Sequence, residues 1–302
     1  MTQFDETNNT SPQFIFRKER DFGEIITDSF SFFSQNYKTI LQLFLKYVGP
    51  FVILTVIGNV YYQYKTGDMF SDISVMAGDP DMVLNSFTDN IFALLLFLVS
   101  AVVSSVAMYA VILHIIKSYV KNNGEILEEE VSGGLKGDFL KIIGFSILAG
   151  IVTIFGTMLC ILPGIYLGVV LFLGVSIMVF EDMSILDAFS KCFTLIKDNW
   201  WITFATILVF SILIGILSFV FQIPAFIYSM VETFTTIRQA QDPSAMGEIY
   251  QDWVYLLFAA IGAIGEYFLS LFTIIMSALI YFNLSEKRDF TGTYDRIENI
   301  GN

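Results

Sequence analysis

Three ionisable side chains fall inside long apolar runs of this sequence: Lys46, His114 and Glu266. An ionisable group in hydrocarbon is costly, so it faces a partner, water or a pathway. Glu266 is the sharpest candidate. It follows Ala259, Ala260, Gly262 and Gly265 near the middle of the last apolar run. There it is expected to face the bundle interior, where a carboxylate could relay a proton or cation, contact a headgroup, or bond a neighbouring helix. Lys46 is the one cation buried within a run rather than at its end. It could snorkel to the interface, contact lipid phosphate, or pair with Glu266 through water. His114 is the only histidine in the chain. A lone His makes a poor metal site, so a structural role is the other reading.

Soluble catalytic chemistry has no foothold. The sequence contains no P-loop, GxSxG, HExxH or CxxC. One His leaves imidazole general-base catalysis almost nowhere to occur. Cys160 and Cys192 suggest packed free thiols, neither a disulfide framework nor a metal site. The run Glu128, Glu129, Glu130 reads as a solvated acidic face. No catalytic residue, metal or cofactor is therefore assigned.

The elements that must position these residues are membrane spans. Hydrophobic residues make up 55% of the chain and charged ones 15%, against about 25% charged in soluble domains. Mean hydropathy is +0.67. Each spanning helix needs about 20 apolar residues, and six runs qualify: 39–64, 90–116, 139–162, 165–181, 202–230 and 253–282. Leu162, Pro163 and Gly164 form a tight turn that makes the third and fourth runs a hairpin. Gly164 and Gly168 give the fourth run a GxxxG face for close helix packing. Pro50 and Pro224 are expected to kink the first and fifth runs. The fold class is all-α: a polytopic membrane protein of about six transmembrane helices.

Charge sets the orientation. Only Lys65 and Arg238 fall in the loops on one side, while the other Lys and Arg, Lys46 apart, fall on the opposite side. The positive-inside rule then makes both termini cytoplasmic. The outer loops are acidic, with Asp68, Asp72, Asp79, Asp81 and Asp89 in one and Glu232, Asp242, Glu248 and Asp252 in the other. They read as a cation-binding mouth or as solvated loops. The net charge of −13 argues against nucleic acid as a partner. Residues 1–20 carry no apolar leader and read as a polar cytoplasmic tail. Residues 21–282 read as one membrane domain and 283–302 as a second cytoplasmic tail.

Two stretches are amphipathic. Residues 21–37 place Phe22, Ile25, Ile26, Phe30, Phe33 and Tyr37 at helical steps, and residues 184–200 do the same with Ile185, Leu186, Phe189, Phe193 and Ile196. Both open with a capping signature, Asp21 with Glu24 and Ser184 with Asp187. Such helices are expected in the interface, with the apolar face in the acyl boundary. Phe30, Phe33, Tyr37, Phe193, Trp200 and Trp201 would be the anchors. One gapless shift brings Asp21 onto Ser184, Phe30 onto Phe193, Asn36 onto Asn199 and Tyr37 onto Trp200. This predicts a pseudo-twofold parallel repeat, with copies at about 21–120 and 184–282 and the hairpin at about 139–181 between them.

Leu162-Pro163-Gly164-Ile165-Tyr166, Asp187-Ala188-Phe189, Asn199-Trp200-Trp201 and the opening Asp21-Phe22-Gly23-Glu24-Ile25 resemble a six-span bacterial family. That family includes the membrane domain of glycerophosphoryl diester phosphodiesterases and the YciC-like inner-membrane proteins. The tail Arg296-Ile297-Glu298 with Ile300-Gly301 fits too. The resemblance implies a fold and a bacterial cytoplasmic-membrane address. It does not imply phosphodiesterase activity, because the barrel and its essential histidines have no counterpart here. The expected function is a non-enzymatic membrane module that binds lipid, a membrane protein partner or a second copy of itself. The alternative is a small transporter or channel with a path near Glu266.

Overall fold

The computed structural model describes residues 14–75, 80–240 and 245–289, and among these all regular structure is helical. The order is α1 (Phe22–Tyr47), α2 (Gly49–Val75), α3 (Pro80–Lys121), α4 (Glu128–Leu159), α5 (Ile161–Leu171), α6 (Gly174–Phe180), α7 (Ile185–Ile196), α8 (Trp200–Ala240), α9 (Ala245–Gln251) and α10 (Trp253–Asp289). A 3₁₀ turn, Lys197–Asn199, joins α7 to α8. Among the described residues five helical stretches are long and apolar enough to cross a membrane, or six if the bent pair α1–α2 counts as one. The chain is thus a multi-pass membrane protein. The side chains of Asp72 and Arg238 lie outside the described residues, as do Asp79, Asp242 and the tail motif at 296–301.

Helix breaks follow local chemistry. Asp21 caps α1 with a complete box: Glu24 N–H donates to Asp21 Oδ1 at 2.7 Å, and Asp21 N–H donates to Glu24 Oε2 at 3.0 Å. The equivalent cap at Ser184 is looser, with Asp187 N–H 3.4 Å from Ser184 Oγ. α1 runs unbroken to Tyr47, so the expected boundary near residue 38 is corrected. The chain turns by 62° only beyond it. Pro50 explains the position: it lacks an N–H and is tolerated in the first turn of a new helix. Val48 carbonyl accepts the first α2 bonds, from Phe51 and Val52. The α4–α5 break is likewise at extended Cys160, with φ −168°, and Leu162, Pro163 and Gly164 already belong to α5. Pro224 lies inside a continuous α8.

The core is concentrated at one end of the bundle. Every residue from Ala110 to Ile116 in α3 and from Ile274 to Leu284 in α10 is buried. α6 inserts beside them, and Ser176 and Ser277 bring their hydroxyls to 2.9 Å. The residues of α1 that face this core are Ile25, Ser29, Phe32, Ile40, Leu43 and Phe44. Phe30 and Phe33 also contact protein, with Phe272 at 4.7 and 4.9 Å between ring centroids. The expectation that this apolar face lies in acyl chains is therefore corrected: it is covered by α10 and α3. Tyr37 remains exposed. In α7 the buried residues are Ala188, Cys192, Leu195 and Ile196, while Phe193 is half-buried. Trp200 stacks on Phe204 and Tyr166, and Trp201 is exposed.

Both supposed tails join this core where they are described. Phe14 and Phe16 form an aromatic cluster with Phe32, and Phe16 also meets Tyr119 and Phe282. Buried Arg20 donates from its backbone to Asn283 Oδ1 at 2.8 Å and from Nε to Asp28 at 2.8 Å. Burial lowers its pKa, and Asp28 opposes that shift. At the other end α10 continues past residue 282, with Asn283, Leu284 and Glu286 buried. The two copies of the expected repeat also differ at one point: Asn199 ends the turn before α8, whereas its counterpart Asn36 is mid-helix in α1.

Phe32→Ala is expected to destabilise the protein by about 3–5 kcal/mol, the usual cost of emptying a packed aromatic site. Thermal unfolding in detergent should register a clear loss. An unchanged transition would place this face of α1 in lipid instead.

Candidate functional site

The three candidate residues are dispersed. Lys46 sits in the last turn of α1, exposed, and forms an ion pair with Glu128, whose Oε1 also accepts from Tyr47 Oη at 2.7 Å. The sequence missed this because α1 extends further than expected. Lys46 and Glu266 therefore do not pair.

His114 is buried in α3. Its Nδ1 lies 2.9 Å from Ala110 carbonyl, and a carbonyl only accepts, so Nδ1 carries the proton. Nε2 then faces Asp138 Oδ2 of α4 at 3.2 Å. That contact is attractive only with a proton between the two atoms. Lys141 donates to the other carboxylate oxygen at 2.7 Å. A Cβ at Gly134 would lie 1.7 Å from His114 Cδ2, so glycine allows α4 to close on α3 here. A cavity at this end contains Lys117, Lys121, Glu130 and Asp182 besides His114 and Asp138. Its charges are engaged with one another: Lys117 with Asp182 and Lys121 with Glu130, both at 2.6 Å. This network fastens α3, α4 and the loop after α6.

Glu266 occupies a different setting. It stands at the exposed rim of an open cavity of about 310 Å³ between α2, α3 and α10. α2 contributes Thr55 and Asn59, and α3 contributes Phe97, Ser105, Met108 and Tyr109. α10 contributes Ala263, Tyr267, Ser270, Thr273 and Ile274 as well as Glu266. Several hydroxyls donate back to their own helices: Thr55 to Phe51 carbonyl at 2.9 Å and Ser270 to Tyr267 carbonyl at 2.6 Å. Asn59 Oδ1 accepts from Gln63 at 2.6 Å. Among the described residues Glu266 makes no ion pair and no hydrogen bond.

No family model, curated protein or solved structure matches this chain. The site is therefore argued from its own geometry.

Of this lining the sequence marks Glu266 as a functional candidate and Ser105 only as part of a close-packing face. A signal for the rest was present: Thr55/Asn59, Ser105/Tyr109 and Glu266/Ser270 are polar pairs four residues apart in apolar helices. Residues at that spacing share one helix face. A small residue is needed at Gly164, where a Cβ would lie 2.1 Å from Thr157 Oγ1, whereas a Cβ at Gly168 would make ordinary contact with Thr153 at 3.8 Å across the α4–α5 hairpin. The role of Gly164 is close approach, remote from the cavity.

Gly134→Ala is expected to cost about 1–3 kcal/mol by overpacking. The same change should cost much less in a His114→Ala background, because the clashing ring is gone. A double-mutant cycle of thermal stability measures this coupling. Simple additivity would contradict the contact.

Proposed function

We propose that this protein is a non-enzymatic membrane module that holds a lipid or lipid-like amphiphile in the cavity beside Glu266. The observation that carries this reading is the mixed lining, with hydroxyls, an amide and a carboxylate set among Phe97, Met108 and Ile274. Ligand sites typically combine apolar walls with a few placed polar groups and occur between bundle helices. The surroundings suit a ligand that arrives from the bilayer. Leu95, Leu96, Leu98 and Val99 of α3 and Leu257, Ile261 and Ile264 of α10 are exposed at the same end of the bundle.

Transport along Glu266 is the second reading, and the carboxylate itself is the feature that favours it. A through path would have to cross the buried apolar layer of Ile112, Ile115, Ile116, Leu271, Ile275 and Leu279. A cavity with an apolar floor suits binding better than conduction. The family resemblance supports a bacterial cytoplasmic-membrane address, and the charge distribution supports an orientation with both termini inside.

Native mass spectrometry of protein extracted gently from its own membrane should find a stoichiometric bound amphiphile. Ala263→Trp, which fills the cavity, should lose it. A ligand-free wild-type protein, or one whose ligand survives Ala263→Trp, would refute the reading. For the orientation, a C-terminal reporter that is active only in the cytoplasm should be active. Activity of an outer-side reporter at that terminus would invert the topology.

A further inference from the structure

The chemistry of the lining selects among amphiphiles. Among the described residues Glu266 is the one formally charged residue around this cavity, and no Lys, Arg or His lines it. Lys46, the cation expected nearby, is committed to Glu128 at the end of α1. The donor capacity of the wall is also reduced. Thr55 and Ser270 spend their protons on main-chain carbonyls of their own helices, which leaves their oxygens as acceptors. Phe97, Tyr109 and Tyr267 add aromatic rings, whose faces attract cations. An anionic headgroup would meet a carboxylate with no cation to offset it. A cation would meet a carboxylate, acceptor oxygens and ring faces together.

We infer that the cavity takes an organic cation with an apolar body, an ammonium-bearing amphiphile, with Glu266 as its counter-ion. This rests on reading the cavity as a ligand site. A carboxylate within a membrane helix normally has a partner, and among the described residues Glu266 has none; the ligand supplies it. A volume of about 310 Å³ accommodates a head and part of one chain, at the small end of ligand sites. Selectivity comes from the missing countercharge as much as from the attraction, since an unpaired like charge rejects the wrong ligand.

The test is equilibrium binding of radiolabelled octylammonium to the full chain in neutral detergent, corrected for uptake by empty micelles. Competitors of equal chain length are octyl sulfate and octyl glucoside. The expected result is saturable, single-site binding that unlabelled cation displaces far better than either competitor. Glu266→Gln, nearly isosteric, should weaken it about tenfold or more, the value of one charge-assisted contact, while Glu266→Asp retains part of it. Unchanged binding in a monodisperse Glu266→Gln protein would overturn the inference. So would equal displacement by octyl sulfate, or the absence of saturable binding. If the cation fails while the native protein still carries an amphiphile that Ala263→Trp removes, the ligand class is wrong and the ligand site stands. If both fail, the cavity is no ligand site.

Discussion

The structure depends on two helices that are enclosed on all sides over only part of their length. α3 is buried around its full circumference from Ala110 to Ile116, and α10 from Ile274 to Leu284. Enclosure demands neighbours on every face, and α1, α6 and α7 are placed to provide them. It also demands that polar atoms be satisfied. Ser176 and Ser277 pair across the α6–α10 contact, and Arg20 is held by Asp28, Asn283 and main-chain carbonyls. Removing one partner of such a buried charge strands the other.

Beyond this enclosed zone the same helices bury single stripes. In α3 these are Ala93, Ser100 and Ser104, and in α10 Ala259, Gly262, Gly265 and Leu269. Gly262 and Gly265 let α8 approach, since a Cβ there would meet Gln222 and Phe221. The cavity forms where the two regimes meet. Its floor is the end of the enclosed core, and its rim is the first turn at which α10 is free on one side. Glu266 occupies that turn, which is why a carboxylate can be accommodated without an ion pair.

The spans, the Asp21 cap and the close-packing glycines were legible in the sequence because each follows from local chemistry. The environment of an apolar face was not. A Phe stripe reads the same whether it meets acyl chains or another helix, because lipid tails are as apolar as a protein core. Phe30 and Phe33 were thus assigned to the interface when they pack on Phe272. Phe14, Phe16 and Arg20 were read as tail because polar neighbours surround them in sequence. The pairing of Lys46 with Glu128 was not legible, because it depends on one long helix that no breaker interrupts before Gly49-Pro50. At the candidate site Glu266 stood out as a charge, whereas Thr55, Asn59, Tyr109 and Ser270 each looked routine. Only three helices brought together show that their polar pairs face one space. His114 was legible as structural, but its partner Asp138 lies on α4 and its fit depends on Gly134.

The central claim is that this space is occupied by a ligand whose polar head meets Glu266. A high-resolution cryo-EM map of protein purified from its own membrane tests it most directly. The account predicts elongated non-protein density between α2, α3 and α10, with its head within about 3 Å of the Glu266 carboxylate, the range of a charge-assisted hydrogen bond. A collapsed cavity, with Glu266 bonded to a side chain of α2 or α3, would contradict it.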